Sequence, residues 1–413
     1  MKVLLVNTYD RLGGAARAVG RLYQRLKEAG CDTTLMVQNK ETKDPSVIKA
    51  GKGFAKYFNF VRPYIDFAIP LPQIRKRILF STSLLPDQFI KSVASVKPDV
   101  IHLNWIAGGM IKIESLAEIR QPIIWTFHDL WAFTGGCHNQ LECNRYHNNC
   151  GCCPLLHSKH ENDLSRKVFN RKQGTYGKIK NLHIVTPSNW LAGCVKSGSL
   201  VKERPLTIIP NGLDTNLFIP TDKNKARVHF QLPLEKKIIL FGGIRGVEYP
   251  LKGFHLLLEA FNKLRDYNYE LVVFGSDKPK HFEPINGKVH FLGHISDEKE
   301  LATLYSASDL VAVPSYQEVF GQTASEALSC GIPVAAFATT GLLDIVDHKT
   351  NGYLAKPFDT ADLAEGVNWI LGNRDRYIDL SRAARLKAET KFDIRIVARR
   401  YMELYEEVLR KKP

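Results

Sequence analysis

Short apolar runs rich in β-branched residues alternate with helical stretches along almost the whole chain, in two successive sets. The first set predicts strands at residues 3–6, 33–37, 99–103, 122–127 and 182–188. The second set predicts strands at residues 237–243, 270–276, 289–293, 309–315 and 333–337. Buried strands that alternate with helices are typical of parallel sheets, because a crossover between parallel strands usually contains a helix. The predicted fold class is therefore α/β, with two Rossmann-like domains whose parallel sheets face each other across a cleft.

The segment IIPNGLDTNLF, residues 208–218, joins the last strand of the first set to the first strand of the second. We therefore expect an N-terminal domain at residues 1–205 and a C-terminal domain at residues 206–394, a division that suits a chain of 413 residues. The last residues, 395–413, continue an amphipathic pattern typical of a long helix. We expect this helix to pack back on the N-terminal domain.

The composition is that of a folded protein, with 44% hydrophobic and 24% charged residues, and it excludes a disordered chain, a collagen or a coiled coil. No uninterrupted apolar stretch reaches the roughly 18 residues of a membrane span. The start, MKVLLVNTYD, lacks the basic region and the small-residue cleavage site of a signal peptide. These features predict a cytoplasmic protein whose first residues form a strand.

Basic residues are concentrated in the first half of the chain. Residues 1–200 hold 28 Lys and Arg against 14 Asp and Glu, whereas residues 201–413 hold 29 against 28. A basic half beside a neutral half indicates that the first half meets an anionic partner, such as a phosphate, an acidic glycan, a nucleic acid or a membrane surface. The alternative is that the basic residues only keep the protein soluble.

Two glutamates with seven residues between them, Glu318 and Glu326, follow a predicted strand of the second set. A helix is predicted to begin between them, and the backbone N–H groups of a helix start attract phosphate through their unpaired donors and the helix dipole. In that arrangement Glu326 can reach a ribose diol and Glu318 a second polyol, whereas on a solvated helix face the two carboxylates would do neither. The predicted helix start consists of Phe320, Gly321, Gln322 and Thr323.

Two cations precede this motif in the glycine-rich loop of FGGIRGVEYPLKGF. Arg245 and Lys252 are well placed there to neutralise a leaving diphosphate. The first half has related features at its strand ends, the Gly13-Gly14 turn and His128. Ligands of open parallel sheets bind at the carboxyl ends of the strands. Neither half has the G-x-G-x-x-G pattern after its first strand, and the P-loop pattern is absent from the sequence.

Taken in order, these motifs resemble those of the retaining nucleotide-sugar glycosyltransferases of family 4, which have the GT-B fold. The resemblance covers nearly the whole chain. A narrower likeness, to the transferases that build bacterial exopolysaccharides such as colanic acid, rests on WTFHDLWAFTGGCHN at residues 125–139 and the cysteines behind it. The matching segments are the Gly13-Gly14 turn, TPSNW (186–190), PNGLDTNLF (210–218), the Arg245/Lys252 loop and the Glu318/Glu326 pair followed by GIPVAA.

The resemblance implies a hexosyltransferase that moves a sugar from a nucleotide-diphosphate donor to a lipid-linked glycan in exopolysaccharide or lipopolysaccharide synthesis. It implies that Arg245 and Lys252 bind the donor diphosphate and that Glu326 binds the ribose. It also implies that His128 approaches the sugar from the other domain. The family's fold needs no metal and no cofactor. Sugar and donor contacts are implied for Glu318 and for the backbone of Gly13, Gly14, Phe320, Gly321, Gln322 and Thr323.

Other functions are compatible with parts of this pattern. An epimerase or a phosphorylase with the GT-B fold would use the same donor site without an acceptor groove, which the basic first half disfavours. A non-catalytic nucleotide-binding protein would not need Glu318, Arg245 and Lys252 together. Nucleic acid is not expected as a partner, because the chain lacks the aromatic-plus-basic motifs of RNA-binding proteins.

Five of the eight cysteines lie within 17 residues, beside several histidines. So dense a group in a cytoplasmic chain favours a metal over a disulfide, although the spacing is not that of a standard zinc site. A structural zinc site, free or redox-active thiols and a disulfide are the three alternatives, and no catalytic metal is expected. The five cysteines are Cys137, Cys143, Cys150, Cys152 and Cys153.

The segment at residues 51–86 does not fit the alternation. Aromatic and apolar residues interleave there with Lys and Arg, which suits an interfacial stretch on anionic lipid and predicts peripheral attachment to the inner face of a membrane. Prolines 63, 70 and 72 predict two short elements or a loop. The alternative is a packed insertion that caps the first sheet. The predicted interfacial residues are Phe54, Tyr57, Phe58, Phe60, Tyr64, Phe67, Leu71, Ile74, Leu79 and Phe80, with Lys52, Lys56, Arg62, Arg75, Lys76 and Arg77.

Overall fold

The computed structural model of the chain describes residues 1–51, 58–70, 79–264, 268–279, 282 and 285–411. The chain divides into two units, one formed by residues 1–210 together with the C-terminal residues from 397 onward, and one formed by residues 211–396. Each unit contains its own parallel sheet. The predicted α/β class with two Rossmann-like domains is therefore confirmed.

The sheet of the first unit has seven parallel strands. They are β1 (Lys2–Tyr9), β2 (Asp32–Asn39), β3 (Val47–Lys49), β4 (Val100–Leu103), β5 (Ile123–Thr126), β6 (Leu182–Thr186) and β7 (Leu206–Ile208). Their order across the sheet is β3-β2-β1-β4-β5-β6-β7, so the direction of the chain across the sheet reverses between β1 and β4. The helices described in this unit are α1 (Gly14–Glu28), α2 (Arg62–Ala68), α3 (Phe89–Val96), α4 (Leu164–Tyr176) and α5 (Asn189–Ser197).

The sheet of the second unit has six parallel strands. They are β8 (Lys237–Gly242), β9 (Tyr269–Phe274), β10 (Val289–Phe291), β11 (Leu310–Val313), β12 (Val334–Phe337) and β13 (Gly352–Ala355). Their order is β10-β9-β8-β11-β12-β13, with the reversal between β8 and β11. The helices described here are α6 (Lys223–His229), α7 (Phe254–Phe261), α8 (Glu298–Ala307), α9 (Gln322–Ser329), α10 (Leu342–Ile345), α11 (Thr360–Leu371) and α12 (Arg374–Lys387).

Both faces of the second sheet are covered. Ile238 and Leu240 of β8 belong to one hydrophobic cluster, and Ile239 and Phe241 belong to another. Because side chains alternate between the two faces of a strand, this division puts one cluster on each face of the sheet. The near-continuous apolar runs seen in the sequence follow from this double burial.

The last helix, α13 (Ile394–Arg410), begins in the second unit and continues in the first. In the first unit, the Tyr405 hydroxyl lies 2.8 Å from His102 Nδ1, and the Tyr401 hydroxyl lies 3.0 Å from Thr126 Oγ1. These buried contacts hold the helix against β4 and β5. None of the helices in the described ranges is long and apolar enough to cross a membrane.

Candidate active site

In the second unit, the loops after β8 and β11 carry most of the predicted donor-site residues. The loop after β8 runs to Gly253, which has a left-handed φ of 69°. A Cβ at this position would lie 1.9 Å from the carbonyl oxygen of Pro314, so only glycine allows the loop to pass this close to the chain after β11. The close approach places Lys252, the preceding residue, beside the end of β11.

Lys252 and Glu318 form an ion pair where these two strands end. Lys252 Nζ lies 2.6 Å from Glu318 Oε1, and the Ser315 hydroxyl donates to the same oxygen at 2.9 Å. The side chains of Lys252 and Glu318 are 28% and 15% exposed, so the pair is largely shielded but still open to solvent on one side. Two residues that were singled out separately in the sequence are thus brought into direct contact.

Arg245 lies on the same loop and is exposed. Its φ is 54°, and its backbone N–H donates to the Gly275 carbonyl at 2.9 Å. Within the described part of the chain, its guanidinium has no hydrogen-bond or ion-pair partner. The loop therefore presents a paired cation at Lys252 and an unpaired one at Arg245.

The chain after β11 turns sharply into α9. Gly321 has a φ of 97°, and a Cβ there would lie 2.9 Å from the Leu342 side chain. Phe320 is buried and anchors the turn, while Gln322 and Thr323 begin the helix half-buried. No side chain caps α9 in the described structure. This helix start has the properties of an anion site, since the first N–H groups of a helix have no acceptor within it.

A third loop, between β12 and α10, fixes the backbone of Glu318. The Glu318 N–H donates to Thr340 Oγ1 at 3.0 Å, and the Gly341 N–H donates to the Glu318 carbonyl at 2.8 Å. Thr340 and Ser315 were not singled out in the sequence. Ser315 was visible as the last residue of a predicted strand, whereas nothing in the local sequence signals the contact of Thr340.

Glu326 lies in the core of the second unit and is 1% exposed. The Tyr305 hydroxyl donates to its Oε2 at 2.9 Å. Burial excludes the alternative of a solvated helix face for this residue. At 1% exposure Glu326 is closed to a ligand in this conformation, so the predicted ribose contact requires a movement that uncovers its carboxylate.

In the first unit, α1 begins at Gly14 immediately after Gly13. Gly13 has a φ of 93°, and no atom lies within 4 Å of the position that a Cβ would take. The backbone conformation, not crowding, therefore requires glycine at this turn.

His128 follows β5 and is half-buried. Its Nε2 lies 3.0 Å from Asn104 Oδ1, and the Asn104 amide nitrogen in turn donates to the His102 carbonyl. This arrangement puts the imidazole proton on Nε2 and leaves Nδ1 as an acceptor. Burial lowers the pKa of His128 to about 4, against the opposing effect of the Asp129 charge. The imidazole is therefore neutral at pH 7.

A buried network holds Asp129, the neighbour of His128. His138 Nδ1 lies 2.5 Å from Asp129 Oδ2, and His138 Nε2 lies 2.8 Å from Ser81 Oγ. The order of groups is that of a Ser-His-Asp hydrolase, but Ser81 is completely buried, so no substrate can reach its hydroxyl. The network instead fixes the loop after β5. Sequence reasoning missed it, because Ser81 and His138 are 57 residues apart.

All eight cysteines are free thiols in the structure, so the disulfide alternative is not formed. Cys194 and Cys330 are buried, whereas Cys31 is half-buried. Among the described residues, no three His, Cys, Asp or Glu side chains are arranged closely enough to hold a metal ion. Four of the five clustered cysteines nevertheless line one small cavity, Cys137, Cys143, Cys150 and Cys153.

The predicted interfacial segment is described at residues 58–70 and 79–80, and it includes α2. Phe58, Phe60 and Tyr64 are 58%, 69% and 64% exposed. The prediction is wrong for Phe80, which is buried, and for Arg62, whose guanidinium turns inward and donates to the Gly109 carbonyl. The residues of this prediction that lie outside the described ranges are Lys52, Phe54, Lys56, Tyr57, Leu71, Pro72, Ile74, Arg75, Lys76 and Arg77.

Two family models match the chain in succession. Residues 12–217 match Glycosyltransferase Family 4, and residues 222–387 match Glycosyl transferases group 1. Together the matches span nearly the whole chain, and they define a two-domain glycosyltransferase. The first half of the chain thus matches a Glycosyltransferase Family 4 domain, and the second half matches a Glycosyl transferases group 1 domain.

Curated relatives include two D-inositol 3-phosphate glycosyltransferases. That of Stackebrandtia nassauensis is 33% identical over 200 residues, which cover 44% of this chain and 43% of the relative. That of Xylanimonas cellulosilytica is 30% identical over 222 residues, 50% of this chain and 52% of the relative. The matched stretches thus span about half the length of these relatives. Neither name supports the narrower likeness to colanic-acid-type transferases, which stays a prediction.

Solved structures with a similar fold cover essentially the whole chain. Sucrose-phosphate synthase from Thermosynechococcus elongatus has a TM-score of 0.73 at 20% identity and covers 100% of both chains. Anabaena Alr3699/HepE in complex with UDP-glucose has a TM-score of 0.68 at 16% identity and covers 98% of this chain and 100% of its own. At these identities the likeness shows the fold, which is GT-B.

Proposed function

We propose that the protein is a retaining glycosyltransferase that moves a sugar from a nucleotide-diphosphate donor to a lipid-linked, anionic glycan. The observation that carries the proposal is the Lys252–Glu318 pair next to the uncapped start of α9, with Arg245 on the same loop. A diphosphate needs cations and N–H donors, and a sugar needs fixed hydrogen-bond acceptors. The second unit offers all three at the carboxyl ends of β8 and β11, where open sheets bind ligands.

In the transfer, the bond between C1 of the sugar and the diphosphate oxygen breaks, and the acceptor oxygen bonds to C1 on the same face. The acceptor proton leaves with the nucleoside diphosphate. Lys252, Arg245 and the first amides of α9 stabilise the charge that develops on the leaving oxygen. Glu318 accepts hydrogen bonds from sugar hydroxyls and at the same time orients Lys252. No protein nucleophile and no metal take part in this scheme.

In this proposal the first unit binds the acceptor. Neutral His128 offers Nδ1 to a sugar hydroxyl, because Asn104 holds the proton on Nε2. The Gly13-Gly14 turn leaves room for a ligand beside the start of α1, since no atom lies near the missing Cβ of Gly13. The basic surplus of residues 1–200 attracts an acceptor that carries phosphate.

The test is a donor screen followed by product analysis. UDP-, GDP- and dTDP-sugars are compared by thermal shift, because a ligand at about 100 times its Kd stabilises the folded state by about 2.7 kcal/mol. The stabilising donor is then incubated with a diphosphate-linked lipid glycan or, as a second arm, with D-inositol 3-phosphate. We expect acceptor-dependent release of nucleoside diphosphate and an unchanged anomeric configuration by NMR. Release that does not depend on any acceptor, or an inverted product, contradicts the proposal.

Glu326 is proposed to bind the donor ribose, and its burial calls for a matched pair of variants. Glu326→Gln keeps the shape and removes the charge, while Tyr305→Phe removes only the hydroxyl that donates to Glu326. We expect the first to weaken nucleoside diphosphate binding by about tenfold, equal to about 1.4 kcal/mol, and the second to weaken it less. Equal binding by Glu326→Gln and the unaltered protein rules out the ribose contact.

Peripheral attachment to the cytoplasmic face of a membrane is proposed from the exposed aromatic rings around α2. Phe58, Phe60 and Tyr64 project from a segment that Asp66 anchors by accepting hydrogen bonds from the chain at residues 82, 83 and 109. Aromatic rings at this exposure suit the headgroup region of a bilayer. Phe60→Ser combined with Tyr64→Ser should reduce sedimentation with anionic vesicles. Val228→Ser is the control, because Val228 is 66% exposed in the second unit. Equal sedimentation of both variants contradicts this attachment.

A further inference from the structure

Four cysteines from a stretch of 17 residues line one small cavity in the first unit. Cys137, Cys143, Cys150 and Cys153 line a cavity of about 20 Å³, which is room for a single water-sized particle. Each of the four thiols lies within electrostatic range of the other three. Cys152 is excluded from the group, since its thiol turns away and donates to the Lys159 carbonyl at 3.4 Å.

Two basic side chains and one carboxylate lie around this cavity, and the carboxylate, Asp163 Oδ2, accepts a hydrogen bond from the Cys153 N–H at 2.7 Å. Lys172 is completely buried; its ammonium donates to the Trp131 and Thr134 carbonyls and lies 3.9 Å from the centre of the Trp131 ring. Among the described residues no carboxylate forms a hydrogen bond or ion pair with it. Arg166 donates to the Cys150 carbonyl at 2.8 Å. A buried ammonium is stabilised by nearby anions. The groups near Lys172 that can supply negative charge are Cys137 and Cys150, when deprotonated, and Asp129.

We propose that Cys137, Cys143, Cys150 and Cys153 bind one structural Zn²⁺ ion. Zn²⁺ bound by four thiolates carries a net charge of −2, which Lys172 and Arg166 are placed to offset. Four thiols around one cavity provide the donor set of a single tetrahedral Zn²⁺ ion. Zinc–sulfur bonds of about 2.3 Å require the thiolates to close further around the cavity than they do as free thiols.

The spacing also agrees with a zinc site once Cys152 is set aside. Cys150 and Cys153 form a C-x-x-C pair that the intervening Cys152 hides in the sequence CGCC. Gly151 has a φ of 91°, and Cys150 and Cys152 also have positive φ, so this turn has the tight backbone of a metal-binding knuckle. The ion would brace the loop between β5 and α4. That loop carries His138, which holds Asp129 beside His128.

The test measures metal on the full chain, purified under reducing conditions without chelators. We expect about one zinc per chain by mass spectrometry, as one tetrahedral four-thiolate site requires. Replacement of the zinc by Co²⁺ should give sulfur-to-cobalt charge-transfer bands and the visible bands of a tetrahedral ion. Cys143→Ser should lose the metal, whereas Cys152→Ser, a change in the same segment outside the cavity, should keep it.

Several results overturn the proposal. One is a zinc content below about 0.2 equivalents per chain, both in the purified protein and after reconstitution with Zn²⁺ under reducing conditions. A structural zinc site binds the ion tightly enough to be almost fully occupied. Equal loss of metal from Cys152→Ser and Cys143→Ser rejects the ligand set, as does stoichiometric iron in place of zinc. If Cys143→Ser does not fold, the metal content and the cobalt spectrum of the unaltered chain decide the question.

Discussion

The two units have sheets of similar strand order, but the loops that follow their strands carry different side chains. In the second unit, the loops at the reversal between β8 and β11 bring together two charged side chains, Lys252 and Glu318. In the first unit, the loop after β5 holds neutral His128, hydrogen-bonded to Asn104 after β4, beside the Asp129 carboxylate, which pairs with the buried His138. In both units the strand ends therefore determine where a ligand can bind. The side chains of the loops, and their burial, determine the charge that the ligand contacts.

The net positive charge and the charged side chains of the proposed donor site lie in different halves of the chain. The first half of the sequence carries nearly all of the basic surplus, yet the described ion pair of the proposed donor site lies in the nearly neutral half. A surplus spread over a surface steers an anionic partner, whereas one preorganised pair acts on a particular bond. The predictions below test whether the two units divide the work in this way.

The largest effect is expected at Glu318. Glu318→Gln should lower turnover by up to about 1000-fold, because it removes both a sugar contact and the partner of Lys252. Nucleoside diphosphate binding should persist, since Lys252, Arg245 and the α9 amides remain. Isothermal titration with the nucleoside diphosphate, compared with steady-state rates, checks this division. A parallel loss of nucleotide affinity and turnover would assign Glu318 to the nucleotide instead.

The cations should give the next largest effect. Lys252→Ala and Arg245→Ala should each lower turnover by about 100-fold, the cost of one preorganised charge donor. Lys299→Ala is the control, an exposed lysine at the start of α8 in the same unit. Thermal unfolding should be nearly unchanged in Arg245→Ala, whose side chain is exposed. Full activity in either cation variant removes its assignment to the diphosphate.

A pair of glycines compares the two units directly. Gly253→Ala should destabilise the second unit by more than about 3 kcal/mol, because the strain of a left-handed residue adds to a Cβ that meets a backbone oxygen 1.9 Å away. Gly13→Ala should cost only backbone strain, about 1–3 kcal/mol for a φ of 93° and a ψ of 168°, since the space around it is open. Urea unfolding of both variants measures the difference. Equal losses would mean that crowding is not what fixes the loop before Lys252.

Much of this fold could be predicted from the sequence, and the failures have physical causes. All ten predicted strands are present, because buried parallel strands give apolar runs that are visible in one dimension. The strands that were missed are β3, β7 and β13. The Lys252–Glu318 contact could be predicted from the sequence, because both residues follow strands of one sheet. The contact of Thr340 with Glu318 depends on a loop 22 residues away and leaves no local signature.

A pH dependence of stability should arise in the first unit. Burial lowers the pKa of His102 to about 3, because the ring is enclosed between Tyr405 and Thr126 with no exposed atom. In the unfolded chain the pKa is near 6.5, so below that pH the unfolded chain binds a proton that the folded chain does not. Stability should therefore fall as the pH drops from about 6.5 towards 3, by at most about 1.4 kcal/mol per pH unit for this residue. His128, with a pKa of about 4, adds a similar slope down to that pH.

Tryptophan fluorescence can follow this loss in the first unit, because four of the five tryptophans, residues 105, 125, 131 and 190, lie there. His102→Gln should be less stable at pH 7, since it disturbs two buried hydrogen bonds, but its stability should vary less between pH 7 and pH 5. His294→Gln, at an exposed position in the second unit, should retain the full pH dependence. If His102→Gln keeps the same slope as the unaltered protein, the dependence has another source, and the buried neutral histidines do not distinguish the first unit from the second.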